Sequence, residues 1–334
     1  MANTVTTTKK MNYLKTFLPY LFGNKKGKSL EFSLPDPLPE PLSFEERLMF
    51  HAISHSLNPY VQSLNLNSLS EHDVFHLLNF LEFLNQDLQK SIEGKFSREF
   101  ELLKTATKAH ALSKKALQEL LDFPVKKLTL FAILNSDRTK PGRIVIRDEH
   151  GSFFTKPNGS VWSIPILALS GRGLPFNHSN GCTPMGVFTI DSVMPEANKN
   201  YEFGEYRRLI VNFIKPSENE VELMKLLPRD QHGLAWWKQS LVGRVLGRSL
   251  LRIHGTGRVN RNFLTPYYPF VPTSGCLATN EASILGLKKA RDQRLLLNAL
   301  MQAQNLPISY ENESKIHGLL YVVEFGDNLS ALRF

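Results

Sequence analysis

This sequence contains few cysteines and no long apolar run. Its 334 residues include two cysteines, Cys182 and Cys276, which are too few for a disulfide framework, although one bridge between them is compatible with the sequence. No apolar run approaches the roughly 20 residues that a membrane-spanning helix needs. These two absences exclude a disulfide-rich scaffold and predict that no stable span crosses a membrane.

The rest of the composition is that of an ordinary globular protein. The chain is 42% hydrophobic and 21% charged, with a mean hydropathy of −0.21, so it can bury a large core. Its length predicts two domains, or one large domain with an extension. The net charge of +9 favours anionic partners such as nucleic acid, anionic lipid or an acidic wall polymer. No nucleic-acid recognition motif is present, so we expect no nucleic-acid binding.

Residues 1–42 form a basic tail that ends in a proline-rich linker, residues 34–42. An apolar stretch at 11–22 follows two lysines, as in an export signal. However, Lys15 and Pro19 interrupt it, and no small-residue cleavage site follows. The N-terminus therefore predicts either an export signal or a loose basic tail.

Residues 43–122 have the spacing of a small helical domain, to which the sequence assigns no role. Ser43 and Glu46 form a capping-box pattern, and Ser70 with Asp73 begins a second helix. One apolar stripe then follows at helical spacing: Val74, Leu77, Leu78, Leu81, Leu84 and Leu88.

Residues 123–334 predict a mostly β domain of antiparallel sheets with one helix. Short apolar segments between Gly, Asn and Pro turns indicate strands at 125–133, 143–147, 161–169, 187–190, 209–213, 250–254 and 319–325. The helix is expected at about 281–303, with Thr279 or Asn280 as its cap.

Two segments of this β domain place groups for nucleophilic chemistry. The first brings His254 to the end of a strand, and the second presents Cys276 in a glycine turn just before the expected helix. A helix N-terminus and a nearby imidazolium would both lower the pKa of the thiol. The backbone N–H groups of Gly275 and Cys276 could form an oxyanion hole. We therefore expect a nucleophilic Cys276 paired with His254.

These residues resemble the catalytic motif of the L,D-transpeptidase (YkuD) family, in which a histidine and a loop precede Ser/Thr-x-Gly-Cys and an apolar residue. Here the motif consists of His254 and residues 273–277. Residues 183–190, Thr-Pro-Met-Gly-Val-Phe-Thr-Ile, are similar to a second family element. The resemblance covers about 125–326. The loop before Thr273 is slightly longer than usual, and Ala278 stands where family members often have arginine.

The resemblance implies a YkuD-like fold and a peptidoglycan substrate. Cys276 would attack a tetrapeptide stem, release D-alanine and hold the acyl group as a thioester until a second stem's amine resolves it as a crosslink. His254 would act as general base and then acid, oriented by a backbone carbonyl. Gly275 would supply an oxyanion-hole N–H, and Thr273 and Ser274 would shape the turn. Neither a cofactor nor a metal is implied. Weaker candidates for substrate binding are Gly255, Thr256, Tyr267 and Tyr268.

Two alternatives keep the same substrate. Water could replace the acceptor amine, which would make the protein an L,D-carboxypeptidase of murein recycling. Alternatively, the chain could bind peptidoglycan without catalysis. The resemblance implies the periplasm or cell envelope, whereas a cytoplasmic location would follow if the N-terminus is not an export signal.

Two histidine pairs at i, i+4 spacing, His51 with His55 and His72 with His76, could in principle hold a metal from one helix face. Neither pair belongs to a His-Glu-x-x-His motif. We therefore expect solvated or interface histidines, and no metal site.

Overall fold

The structure, a computed structural model, describes residues 42–214, 220–281, 283–284 and 288–326. The chain divides into two compact units, the first ending at Lys104 and the second beginning at Thr105. This boundary falls earlier than residue 122, where the helical spacing predicted the first domain to end. Residues 1–41, nearly all of the predicted tail and linker, lie outside the described residues.

The first unit is helical. Its elements are α1 (Phe44–Ile53), α2 (Leu57–Ser63), α3 (Glu71–Leu78), a 3-10 turn (Leu81–Phe83), α4 (Gln86–Lys95) and α5 (Ser97–Thr107), which extends past the boundary. The predicted capping box is present, because the Ser43 side chain accepts from the Glu46 backbone while the Glu46 carboxylate accepts from the Ser43 backbone. Ser70 likewise caps α3 through the Asp73 backbone N–H.

An eight-stranded mixed sheet forms the second unit. Its strands, in the order in which they pair, are β3 (Ser163–Ile166), β2 (Gly142–Arg147), β1 (Thr129–Asn135), β10 (Gly318–Phe325), β4 (Gly186–Val193), β5 (Leu209–Phe213), β6 (Leu251–His254) and β7 (Leu277–Ala278). A strand lies in each of the seven predicted segments. A separate hairpin pairs β8 (Ser283–Ile284) with β9 (Lys288–Lys289).

The sheet is mixed and nearly closed. Five of its seven strand pairs are antiparallel, as expected of the predicted mostly antiparallel domain, and the other two are parallel. β1 pairs with β10 in parallel, and β6 pairs with β7 in parallel. Just beyond β3, Leu167 bonds to Ala278 of β7 in both directions, with N···O distances of 2.9 and 2.7 Å. This bridge joins the two edges of the sheet and leaves β7 paired on both sides.

Apolar side chains cover both faces of the sheet, because successive residues of a strand point to opposite faces. One face, with Leu130, Ile253 and Leu277, packs with residues of the helix 292–303. The other face packs around Trp236 and Trp237, both at most 1% exposed.

More than one helix accompanies the sheet, which corrects the prediction of a single one. The helices are α6 (Lys114–Asp122), α7 (Asn200–Phe203), α8 (Val221–Met224), α9 (Lys238–Val245), α10 (Asp292–Ala303) and α11 (Tyr310–Glu313). Most of them are short, so they carry little periodic signal. In α9, Gly243 allows close packing, since a Cβ there would lie 3.2 Å from the Pro184 ring and 3.3 Å from the Phe213 ring.

The helix predicted over 281–303 begins only at Asp292, and Arg291 rather than Thr279 or Asn280 stands at its N-cap. The sheet explains the difference, because Thr279 donates its backbone N–H to the His254 carbonyl at 2.8 Å and so continues the extended chain. The paired strands β8 and β9 follow it. Leu285 and Leu287, which supported the earlier start, lie outside the described residues.

Gln293 ties α10 to the sheet. It is fully buried, accepts from the Thr279 hydroxyl at 3.0 Å, and donates to the carbonyls of Arg207 and Ile253 at 2.9 and 3.1 Å. We predict that Gln293→Leu lowers the free energy of unfolding by about 3 kcal/mol, because buried polar groups lose their partners. Chemical denaturation measures this. Gln302→Leu, at an exposed position of the same helix, should stay within about 0.5 kcal/mol; equal losses would contradict the prediction.

Candidate active site

His254 ends β6 and is 3% exposed. Its Nδ1 lies 2.5 Å from the Gly255 carbonyl oxygen, and the Phe203 ring meets the imidazole edge-on at 5.1 Å between centroids. A carbonyl only accepts hydrogen bonds, so this contact places the ring proton on Nδ1. Nε2 is then left with its lone pair and can take a proton.

Cys276 lies immediately before β7, and its side chain is partly exposed. The parallel register pairs Ile253 with Leu277. The residues one position earlier on each strand, Arg252 and Cys276, therefore lie side by side. Ile253 and Leu277 both point into the core. Strand alternation therefore puts His254 and Cys276 together on the opposite face, on neighbouring strands. The thiol lies 3.7 Å from the Leu250 carbonyl oxygen.

The two family-like segments are hydrogen-bonded to each other. Thr183 of one segment donates its hydroxyl to the Gly275 carbonyl of the other at 2.9 Å. Within the second segment, Thr273 donates its hydroxyl to the Cys276 carbonyl at 2.6 Å. Gly275 has φ +108°, and a Cβ there would lie 2.3 Å from Nη2 of Arg248. Glycine is therefore required at this turn, both for its backbone conformation and for space.

The electrostatic environment of Cys276 differs from the expected one. A strand directly follows the cysteine and α10 begins only at Asp292, so within the described residues the expected helix N-terminus does not lie at Cys276. Burial raises the pKa of the Cys276 thiol, while a hydrogen bond from the Arg252 backbone and the charges of Arg252, Arg248 and Arg208 oppose the rise. The predicted lowering of this pKa is therefore wrong.

The prediction that a neighbouring imidazolium would lower the pKa of the thiol is also wrong. Burial, with a smaller contribution from the charges of Arg208 and Arg252, lowers the pKa of His254 to about 4, and the hydrogen bond to the Gly255 carbonyl partly opposes this. The imidazole is therefore neutral at pH 7. The thiol and the imidazole are therefore both uncharged at pH 7, on the same face of neighbouring strands.

Comparison of the chain with protein-family models, with curated proteins and with solved structures finds no match. The fold described above therefore carries no family assignment from these comparisons. The chemistry of the residues around Cys276 and His254 is what bears on function.

Four charged residues of this site were missed from the sequence. They are Arg208, Arg248, Arg252 and Glu281. Arg248 donates to the carbonyls of Phe176, Gly181 and Cys182. Glu281 accepts from the Glu205 backbone N–H at 2.8 Å, and a Cβ on Gly255 would lie 2.0 Å from its Oε1. Of these four, only Arg252 could have been predicted from the sequence, because residues two apart on a strand share a face and Arg252 is two residues before His254.

The weaker sequence candidates have different surroundings. Gly255 contacts His254 directly through its carbonyl, and the Thr256 hydroxyl accepts from the Arg258 backbone N–H at 3.1 Å. Tyr267 packs against a small apolar cluster of Leu167, Phe270 and Ala278. Tyr268 and Ser274 are exposed.

Cys182 and the paired histidines have structural contacts. Cys182 is a free cysteine that accepts from the Ser170 backbone N–H at 3.3 Å. His72 and His76 approach within 3.2 Å through their Nε2 atoms. Within the described ranges, no group of three or more His, Cys, Asp or Glu side chains could hold a metal ion. In the same residues, no helix has both the length and the apolar character to cross a membrane.

The pKa of Cys276 can be tested by alkylation. We predict that, in a Cys182→Ser background, the rate of reaction with iodoacetamide keeps rising above pH 9, because only the thiolate reacts and burial raises the pKa of this thiol. Mass spectrometry of the modified protein follows the rate. A rate that is already at its plateau below pH 7 would contradict the prediction, since it would show a preformed thiolate–imidazolium pair.

Proposed function

We propose that this protein is a cysteine acyltransferase that acts on the tetrapeptide stems of peptidoglycan, as an L,D-transpeptidase with a YkuD-like domain. One observation carries the proposal. The sheet holds Cys276 and a neutral His254 on one face of adjacent strands, and Thr183 of the second family-like segment hydrogen-bonds the Gly275 turn.

In the proposed first step, Nε2 of His254 takes the thiol proton as Sγ bonds to the carbonyl carbon of the diaminopimelate-type residue. The backbone N–H groups of Gly275 and Cys276 would stabilise the oxyanion. The C–N bond to D-alanine then breaks, and His254 returns the proton to the leaving amine. The products are free D-alanine and a Cys276 thioester.

In the second step an amine of another stem attacks the thioester and loses a proton to His254. The C–S bond breaks, the sulfur regains the proton, and the two stems are joined. Water in place of the amine would give a free tripeptide, which is the carboxypeptidase alternative.

The experiment mixes the purified protein with a disaccharide-tetrapeptide and measures released D-alanine and stem products by mass spectrometry. We predict that Cys276→Ala and His254→Ala each lower D-alanine release by at least about a thousandfold, because each removes a reacting group. Cys182→Ser, whose side chain contacts only Ser170 among the bonds described above, should retain activity.

The products then separate the alternatives. Crosslinked dimers indicate transpeptidation, and tripeptide alone indicates carboxypeptidase activity. Absence of both D-alanine and a Cys276 acyl adduct, from folded protein with a reactive thiol, would contradict the proposed substrate. Tetrapeptide binding without turnover would then favour a binding protein.

A further inference from the structure

Two arginines flank the Cys276–His254 pair, and neither lies in the family-like motifs. We propose that Arg208 and Arg252 form an anion-binding subsite that receives a carboxylate of the acyl donor. The donor's identity rests on the proposed function, whereas the subsite itself rests on the positions and charges of the two arginines.

Arg252 approaches the pair from β6. It shares a strand face with His254 and lies beside Cys276 through the parallel register of β6 and β7. Its guanidinium donates to the Leu251 carbonyl at 2.6 Å, which keeps the side chain folded back along its own strand. It is only partly buried, so an anion in the solvent can reach it.

Arg208 approaches from the neighbouring strand. It directly precedes β5, in which Leu209 pairs with Ile253 of β6. Its guanidinium lies over the Phe203 ring at 4.3 Å, and the same ring meets His254 edge-on. Phe203 therefore contacts both this arginine and the His254 imidazole.

The two charges are incompletely compensated. Arg208 is 6% exposed and donates to the Asn198 side-chain carbonyl at 2.9 Å, and Glu202 offsets part of its charge. Among the residues that the structure describes, neither Arg208 nor Arg252 forms an ion pair with a carboxylate. Burial lowers the pKa of both, and the charge of Arg208 lowers the pKa of Arg252 further. A bound anion would offset the free-energy cost of burying these two charges, and it would also reduce the repulsion between them.

A peptide donor offers two carboxylates near the attacked carbonyl. One is the C-terminal carboxylate of the departing D-alanine, and the other is the side-chain carboxylate of the diaminopimelate residue. Both have the chemistry that a pair of guanidinium groups recognises. Either would be drawn to the face on which the thiol lies.

The test compares a charged with a neutral alkylating reagent and needs no peptide. In a Cys182→Ser background, second-order rates are measured for iodoacetate and for iodoacetamide. Both reagents attack the same thiolate, so their rate ratio cancels its abundance and reports attraction of the anion. We predict that Arg252→Gln and Arg208→Gln each lower the iodoacetate-to-iodoacetamide ratio by about tenfold. Arg252→Lys should keep most of the ratio, because it keeps the charge.

Arg143→Gln, an exposed arginine of β2, is the matched control and should leave the ratio unchanged. Thermal melts establish that each variant is folded. If Arg208→Gln does not fold, the subsite is tested by Arg252→Gln and by a salt titration of the protein that retains Arg208. Added NaCl should lower the iodoacetate-to-iodoacetamide ratio, because it screens the arginine charges. A ratio that neither Arg252→Gln nor salt changes would overturn the subsite.

Peptide donors then identify the carboxylate. If D-alanine is bound, amidation of the C-terminus should raise KM about tenfold and abolish the further effect of Arg252→Gln. If the diaminopimelate carboxylate is bound, amidation of that side-chain carboxylate, rather than of the C-terminus, should raise KM about tenfold and abolish the further effect of Arg252→Gln. Because the reagent ratio involves no donor, a lowered ratio with no turnover would contradict the peptidoglycan substrate while supporting the subsite.

Discussion

The candidate site depends on the short parallel pairing of β6 with β7. Through this pairing Leu277 lies opposite Ile253, and both side chains enter the core. Their burial fixes which residues face the other way, and these are His254 on one strand and Cys276 beside the other. A one-residue slip would send the thiol to the core face, because side chains alternate along a strand. Ala278 bonds to Leu167 on its second side, so β7 is held from both directions although it is only two residues long.

Burial and charge act against each other at this site. Burial disfavours the thiolate and the imidazolium alike, whereas the nearby arginines favour the thiolate and further disfavour the imidazolium. The result is a site that rests with both groups neutral. In the proposed acyl transfer, the proton would move from sulfur to His254 as the C–S bond forms. The same arginines provide a positive surface where an anionic substrate can bind.

The sequence predicted seven of the ten described strands, because each of these seven carries its own apolar pattern, as in Leu319–Phe325, and it missed the two-residue strands β7, β8 and β9. It also predicted that His254 would end a strand. It failed between Ala278 and Asp292, where cap-like residues and leucines at helical spacing indicated a helix. There the hydrogen bond from Thr279 to the His254 carbonyl prevails over local propensity, and such a tertiary contact leaves no periodic signal. Arg208 was missed for the same reason, since only the pairing of β5 with β6 brings it near His254. The prediction of a lowered pKa for Cys276 rested partly on this helix, so it was wrong for the same reason.

The central claim is that a neutral His254 faces the thiol of Cys276, and nitrogen NMR of the full chain labelled with ¹⁵N-histidine tests it most directly. His254→Gln assigns the resonances, and spectra are recorded at pH 7 in a Cys182→Ser background before and after carbamidomethylation of Cys276. The account predicts a neutral ring with its proton on Nδ1, and an Nε2 resonance that moves when the sulfur is modified. A doubly protonated ring at pH 7, or an Nε2 resonance unaffected by the modification, would contradict it.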